Sequence, residues 1–416
     1  MLRGLALLLV VGLVGCNGNI GDLFSVFPAS AFEDPDGGED PGGIPGAFEP
    51  VEVAFLGSAQ GVTGDVRNIA VATIAGESYA FLAAGVDGVH MVDVSEPSTV
   101  SATDFITTID DDVLSDAAAS IAGGRVDDVA VIDNAFLVCV AIGTGATNAV
   151  TVFNIADLIT LATSSSADLS DAFVPGTGAI AADGTPNGNG GDVDGGANVF
   201  LVATGGSELG AGLITPGSPG TWAALPPTTD ATIDNFIDVK LRLPTAAYCV
   251  VAQGDDLRLA TFTVEFLPNP GVTLTGDLQA LTGSFSGLDD NAAAFPGTFP
   301  AALALDLTGT LYASGQNDIR TYSVANPTLP VEGTPIFATG FEVGGMAADI
   351  GFLVYTNSPS TITLTSLAGT ITPLSTFEAP GRRTLGVALR NTDTGRFALT
   401  CANNVGFRIV QYSDLP

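Results

Sequence analysis

Tyr79-Ala-Phe81-Leu-Ala-Ala-Gly85-Val-Asp87-Gly88-Val-His90-Met-Val-Asp93-Val94 decides how this chain folds. An apolar run opens the segment, a Gly/Asp turn interrupts it, and Val89 to Val94 then alternate between two faces. Apolar runs punctuated by Gly-Asp turns are the mark of short antiparallel strands, and alternation marks a strand with one face buried. Ser95-Glu96-Pro97 closes the unit. Upstream, Asn68-Ile69-Ala-Val-Ala72 reads as another strand, and Ala102 to Ile106 downstream reads as a fourth.

The same order recurs along the chain. A second copy has Asp128-Val-Ala-Val131, Phe136-Leu137 and Ala149-Val-Thr-Val-Phe153, and a degenerate third has Asp192-Val193, Val199 to Val202 and Leu213-Ile214. The fourth has Asp238-Val239, Tyr248 to Val251 and Leu257 to Phe262, and the fifth has Ala302 to Leu305, Leu311-Tyr312 and Asp318 to Tyr322. The sixth carries Met346-Ala-Ala, Phe352 to Val354 and Thr361 to Leu364, and the seventh Gly386 to Leu389, Phe397 to Leu399 and Phe407 to Val410. Copies begin about every 40–65 residues, a period that fits propeller blades with loop insertions. Four short strands per copy make one blade, and a single blade cannot bury both of its faces alone.

The seventh copy reaches Pro416 with three strands, whereas Val51-Glu-Val-Ala-Phe55-Leu56-Gly57 precedes the first copy and has the pattern of an outermost strand. Pairing the two hides an edge that otherwise invites association. The expected fold is all-β, a seven-bladed β-propeller over 51–416 closed by an N-terminal strand on the last blade. A pair or trio of β-sandwiches is the competing architecture.

Segments such as Tyr79 to Pro97 resemble the LVIVD-repeat family of bacterial and archaeal surface β-propellers, whose blades carry a strand like Val89–Val94 followed by a Ser-x-Pro turn. The match is best in the first copy, fair in the second, fifth and seventh, and weak in the others. What the resemblance implies is architecture over most of 51–416. It carries over no catalytic residue.

At the N-terminus, Arg3 precedes the apolar run Leu5 to Val14, which is shorter than the ~20 residues of a membrane-spanning helix and ends at Gly15-Cys16. This resembles a bacterial lipoprotein signal with its lipobox. The resemblance implies removal of residues 1–15, acylation of Cys16 and anchoring by lipid on the outside of the inner membrane. Asn17, by analogy with enteric sorting, implies transfer to the outer membrane in a diderm host. An ordinary secretory signal with an incidental Cys16 is the alternative. Residues 16–50, including Glu33-Asp34-Pro35-Asp36-Gly-Gly-Glu39-Asp40-Pro41, are too poor in hydrophobics to offset the entropy of ordering and are expected to form a disordered acidic tether. An acidic calcium-binding arm is the other reading of that stretch.

Composition narrows the function classes. The formal charge is −33, from 12 basic and 45 acidic residues, with Lys240 the single lysine. Such a chain repels nucleic acid and anionic headgroups, so it takes no nucleic-acid partner and meets a membrane through the lipid anchor only. The chain is also 46% hydrophobic, and those residues require a core of strands covered on both faces. Cys139, Cys249 and Cys401 each sit in an apolar run without C-x-x-C spacing, which points to buried structural thiols.

Chemistry is sparse. His90, the only histidine, sits in an alternating strand, where a lone histidine is expected to be structural, and a Ser-His-Asp or Cys-His pair would need it at a pocket. Asp128, Asp192 and Asp238 precede the expected innermost strands of successive copies, with Asn68 in the same place in the first. Innermost strands line a propeller's channel, so these are candidate ligands for a hard cation such as Ca²⁺. The competing role is structural, each acid capping its strand or accepting from neighbouring backbone amides. Asn187-Gly-Asn189-Gly-Gly-Asp192-Val-Asp194-Gly195 is a second candidate calcium loop, without the spacing of D-x-[DN]-x-[DN]-G. Trp222 lies among Gly and Pro and is expected to cover a blade face. The expected function is that of a binding or scaffold module in the cell envelope, taking an envelope protein or glycan without catalysis. The alternative is a calcium-dependent hydrolase of lactonase or phosphatase type using channel carboxylates.

Overall fold

Each repeat folds as one four-stranded antiparallel sheet, giving seven such sheets among the described residues of a computed structural model. Those residues run from 50 to 413, except 111, 115–124, 143–147, 165–167, 175–177, 181–191, 197, 204–208, 215–220, 225–234, 243–245, 254–255, 264–277, 286–301, 315–317, 337–342, 350, 358–360, 367–371, 379–385 and 403–405. The compact unit to which they belong begins at Phe48, and Met1–Ala47, with Cys16 and most of the expected tether, lies outside the described residues.

Sheet one orders Asn68–Ile74, Glu77–Ala83, Val89–Asp93 and Phe105–Ile109. Sheet two has Arg125–Ile132, Phe136–Ile142, Asn148–Asn154 and Gly178–Ile180. Sheet three has Asp192–Gly196, Val199–Ala203, Leu209–Leu213 and Thr221–Ala224. Sheet four has Asn235–Arg242, Ala246–Gln253, Asp256–Thr263 and Leu278–Phe285. Sheet five has Leu303–Leu305, Thr310–Ser314, Ile319–Ser323 and Val331–Glu332. Sheet six has Val343–Asp349, Phe352–Asn357, Thr361–Ser366 and Thr372–Glu378. Sheet seven takes Val387–Thr392, Gly395–Ala402 and Gly406–Ser413 from the end of the chain and Val51–Leu56 from its start.

The apolar second strands explain why the sheets stack. Alternate residues of a strand point to opposite faces, so one apolar run supplies two cores. Tyr79, Phe81 and Ala83 pack against sheet two, while Ala80 and Leu82 pack with Phe397, Leu399 and Ile409 of sheet seven. Leu137 and Cys139 likewise face sheet one, and Val138 and Val140 face Phe200 and Val202 of sheet three. The core is therefore divided among clusters that each lie between consecutive sheets, and one of them joins sheet seven to sheet one. The first strands touch their neighbours in the same order, and Val387–Thr392 meets Asn68–Ile74.

Some local expectations are corrected. The fourth strand of sheet one is Phe105–Ile109, because Ala102–Asp104 form a 3-10 turn in which Ser101 and Asp104 cap each other. Leu213 ends the third strand of sheet three, and Trp222 lies in its outermost strand. Asp128 and Asp238 lie inside their innermost strands, each just after a shift in register, and Asp192 begins its own. A helix, α1 (Ile155–Ala162), was not anticipated. Asn154 caps it by accepting from the Asp157 amide at 3.2 Å, and Ile155 and Leu158 anchor it in the core.

Candidate functional site

The first strands of all seven sheets line a cavity of about 360 Å³. Its wall is divided. Sheets one to four contribute Asn68, Asp127, Asp128, Asp194, Asp238 and Lys240, with Arg67 at the start of the first strand. Sheets five to seven contribute Ala302, Leu303, Gly345, Met346, Gly386 and Val387.

The charged groups on the polar side join one sheet to the next. The Asn68 side-chain amide of sheet one donates to Asp128 Oδ1 of sheet two, which also accepts from the Val129 amide at 2.7 Å. Asp128 Oδ2 accepts from the Val193 amide of sheet three at 2.6 Å. Asp194 of sheet three accepts from the Leu241 amide of sheet four at 2.7 Å and stands 3.4 Å from Lys240 Nζ. Asp238 of sheet four accepts from the Leu303 amide of sheet five at 2.7 Å. A carboxylate that accepts from backbone amides is a charge-assisted tie of greater strength than a neutral hydrogen bond. These contacts are the structural alternative named for the acids, realised at Asp128 and Asp238.

As candidate metal ligands, Asp128 and Asp238 both reach the cavity wall, whereas the Asp192 side chain lies outside the described residues. Among the described residues no group of three or more His, Cys, Asp or Glu side chains has the arrangement of a metal site. The Asn187–Asp192 part of the second candidate loop also falls outside them, apart from the backbone of Asp192.

Sequence reasoning missed Asp127 and its two arginines. Asp127 is 6% exposed and lies 3.1 Å from Arg67 Nη1 and 3.0 Å from Arg125 Nε, and Arg67 also pairs with Asp65 at 2.6 Å. Burial pushes the Asp127 carboxyl above its ordinary pKa, and the two guanidinium charges oppose that rise. The available signal was Val126-Asp127-Asp128-Val129, adjacent acids inside an apolar run. The register shift between Val126 and Asp128 lets both acids be buried where strict alternation would turn one outward.

His90 is 1% exposed and held on both ring nitrogens. Nδ1 lies 2.9 Å from Thr108 Oγ1, and Nε2 lies 2.9 Å from the Thr63 carbonyl and 3.2 Å from its amide. Its ring meets Phe105 edge-on at 5.6 Å. Burial lowers its pKa, with the Thr63 contact and Asp87 opposing. It forms the floor of a cavity of about 450 Å³ rimmed by Val86, Asp87, Asp110 and Asp112. Cys139, Cys249 and Cys401 are buried, as expected.

No family profile and no curated protein matches the chain. Solved structures do match. A chain of the mitotic checkpoint complex superposes with a TM-score of 0.54 at 10% identity over 88% of this chain and 94% of that one. Sqt1 of Saccharomyces cerevisiae gives 0.54 at 10% identity, over 89% and 100% respectively. Raptor of Chaetomium thermophilum gives 0.55 at 10% identity over 86% of this chain, which spans 29% of that larger protein. These neighbours are β-propellers of the WD40 type, and at such identities the likeness shows the fold alone. The chain has a β-propeller fold.

Proposed function

We propose that this chain is a seven-bladed β-propeller of the LVIVD-repeat kind, closed by Val51–Leu56 on its last blade, and that it serves as a binding or scaffold module in a bacterial cell envelope. It is held there by lipid on Cys16, and its partner is an envelope protein or glycan. Support for the closed ring comes from the core cluster shared by sheets seven and one and from the pairing of Val51–Leu56 with Gly406–Ser413. The observation that carries the non-catalytic reading is the use of the cavity acids. Asp128, Asp194 and Asp238 each hold a backbone amide of the following sheet, so their charge rigidifies the ring. A rigid ring carrying loops of differing length is suited to presenting a recognition surface.

The test is in-cell cross-linking of the full chain expressed in a bacterial envelope, beside a Cys16→Ser chain. A recurring envelope adduct, with loss of the membrane fraction in the Cys16→Ser chain, is the expected result. Calcium-dependent hydrolysis of a lactone or phosphoester that disappears in Asp128→Asn would overturn it in favour of the hydrolase.

A further inference from the structure

The strand that completes sheet seven is held differently from the others. Its partner lies at the far end of the chain: Glu52 Oε2 accepts from Arg408 Nη1 at 2.7 Å across 356 positions of sequence. It is last in its sheet, so it bonds a strand on one side only. Its register slips between Glu52 and Ala54. Ala54 and Leu56 enter the core and Val53 packs partly buried against it, while Val51 is 51% exposed and Phe55 37%.

Most of the grip belongs to the seat. Arg408, 5% exposed, extends from Gly406–Ser413 to pair with Glu52 and lies 4.9 Å from the Phe55 ring centre. Gly406, at φ +135°, lets the seat approach so closely that a Cβ there would stand 2.2 Å from the Leu56 carbonyl. Beyond Leu56, the chain reaches sheet one through Gly57, Gly61 at φ +94° and Gly64 at φ +78°, with Val62 and Val66 buried between. Gly57–Gly61 is a compact turn in which the Gly57 carbonyl accepts from the Gln60 and Val62 amides, and it is these bonds that must open for the strand to swing away.

We propose that Val51–Leu56 is an exchangeable clasp, and that the partner taken by the vacated seat is a second copy of this chain. Every contact described above forms equally well when the strand comes from another molecule, because the seat reads residues and not connectivity. An empty seat leaves the Gly406–Ser413 backbone unpaired, and an unpaired edge captures the next suitable strand. The inference rests on the observed pairing and does not depend on the envelope function.

Two full-length variants test it. In Glu52→Arg alone, and in Arg408→Glu alone, the clasp meets its own seat with like charge. Mixed, each variant's clasp finds opposite charge on the other's seat. Native mass spectrometry of the mixture, one chain isotopically labelled, is expected to show the mixed dimer in at least about tenfold excess over either like dimer, a difference of about 1.4 kcal/mol. The chain carrying both substitutions restores the pair within itself and returns to the unsubstituted chain's monomer fraction. Two monomers, or dimers in statistical proportion, overturn the proposal. Should either variant fold poorly, Val51→Cys with Gln411→Cys, a facing register pair, gives the second readout. After concentration and oxidation, disulfide-linked dimers support exchange, and cross-linked monomers alone refute it.

Discussion

Gly386 faces Asn68 so closely, where sheet seven meets sheet one, that a Cβ at 386 would stand 2.7 Å from the Asn68 Cα and 2.8 Å from its Oδ1. Neither atom can easily withdraw: one is backbone, and the Asn68 side chain is committed to Asp128 and to the Ile69 amide. Gly386→Ala therefore forces the junction apart. The expected loss is about 1–3 kcal/mol, read from chemical denaturation. An unchanged midpoint would mean that the two strands are not in close contact.

Asp128 ties three sheets together. Asp128→Asn replaces one acceptor oxygen by an NH₂ group that faces either the Asn68 amide or the Val193 amide, leaving a buried donor without an acceptor. A loss of about 1–3 kcal/mol is expected, with faster hydrogen exchange at the Val193 amide. Asp110→Asn, at an exposed turn, is expected to stay within about 0.5 kcal/mol. Equal effects at the two positions would deny the tie.

His90 gives stability a pH dependence of defined sign. Burial lowers its folded pKa below the ordinary 6.5, so between the two values the unfolded chain binds the proton that the folded chain refuses. Stability is therefore fully present above about 6.5 and declines as pH falls toward the folded pKa. Denaturation midpoints measured from neutral to mildly acidic pH should show this decline, and His90→Gln should flatten it. A variant with the same slope as the parent would place the titration elsewhere.

Calcium must compete with backbone amides for Asp128 and Asp238. Calorimetry on the full chain stripped with chelator is expected to show no stoichiometric uptake at the cavity up to about 1 mM calcium, the range of weak extracellular sites. Uptake abolished by Asp128→Asn with Asp238→Asn would make the cavity a metal site.

Thiol chemistry separates the two ends of the protein. Cys139 and Cys401 are wholly buried and their pKa values are pushed up by burial, and Cys249 is also buried. Under native conditions a maleimide should leave all three untouched and report on Cys16 alone, which a lipidated chain also withholds. Labelling of an internal cysteine at a rate independent of denaturant would contradict this burial.

How much was legible follows from what makes each element. Second strands such as Phe136–Ile142 and Ala246–Gln253 were plain in the sequence because their alternate residues fill two cores at once. Outermost strands were obscure: Val331–Glu332 and Thr221–Ala224 are short, and cross-strand bonding rather than an apolar period defines them. Helix α1 went unread although Asn154 and the Ile155/Leu158/Ile159 spacing announced it, because the strand before it ends on the same asparagine. The cavity acids were found at Asp128 and Asp238, but their bonds were not, since an amide four strands further along the chain leaves no trace in local spacing. Asp127 was hidden by a register shift, which changes the direction of a side chain without changing the residue pattern.

Synthesis runs in one direction, and the pairing of Glu52 with Arg408 sets a timetable for it. Glu52 waits for a partner made 356 positions later, so sheet seven cannot be completed until Gly406–Ser413 has left the ribosome. Contacts of such sequence separation are slow to form. That delay keeps the last joint of sheet seven open while the other six sheets are being made.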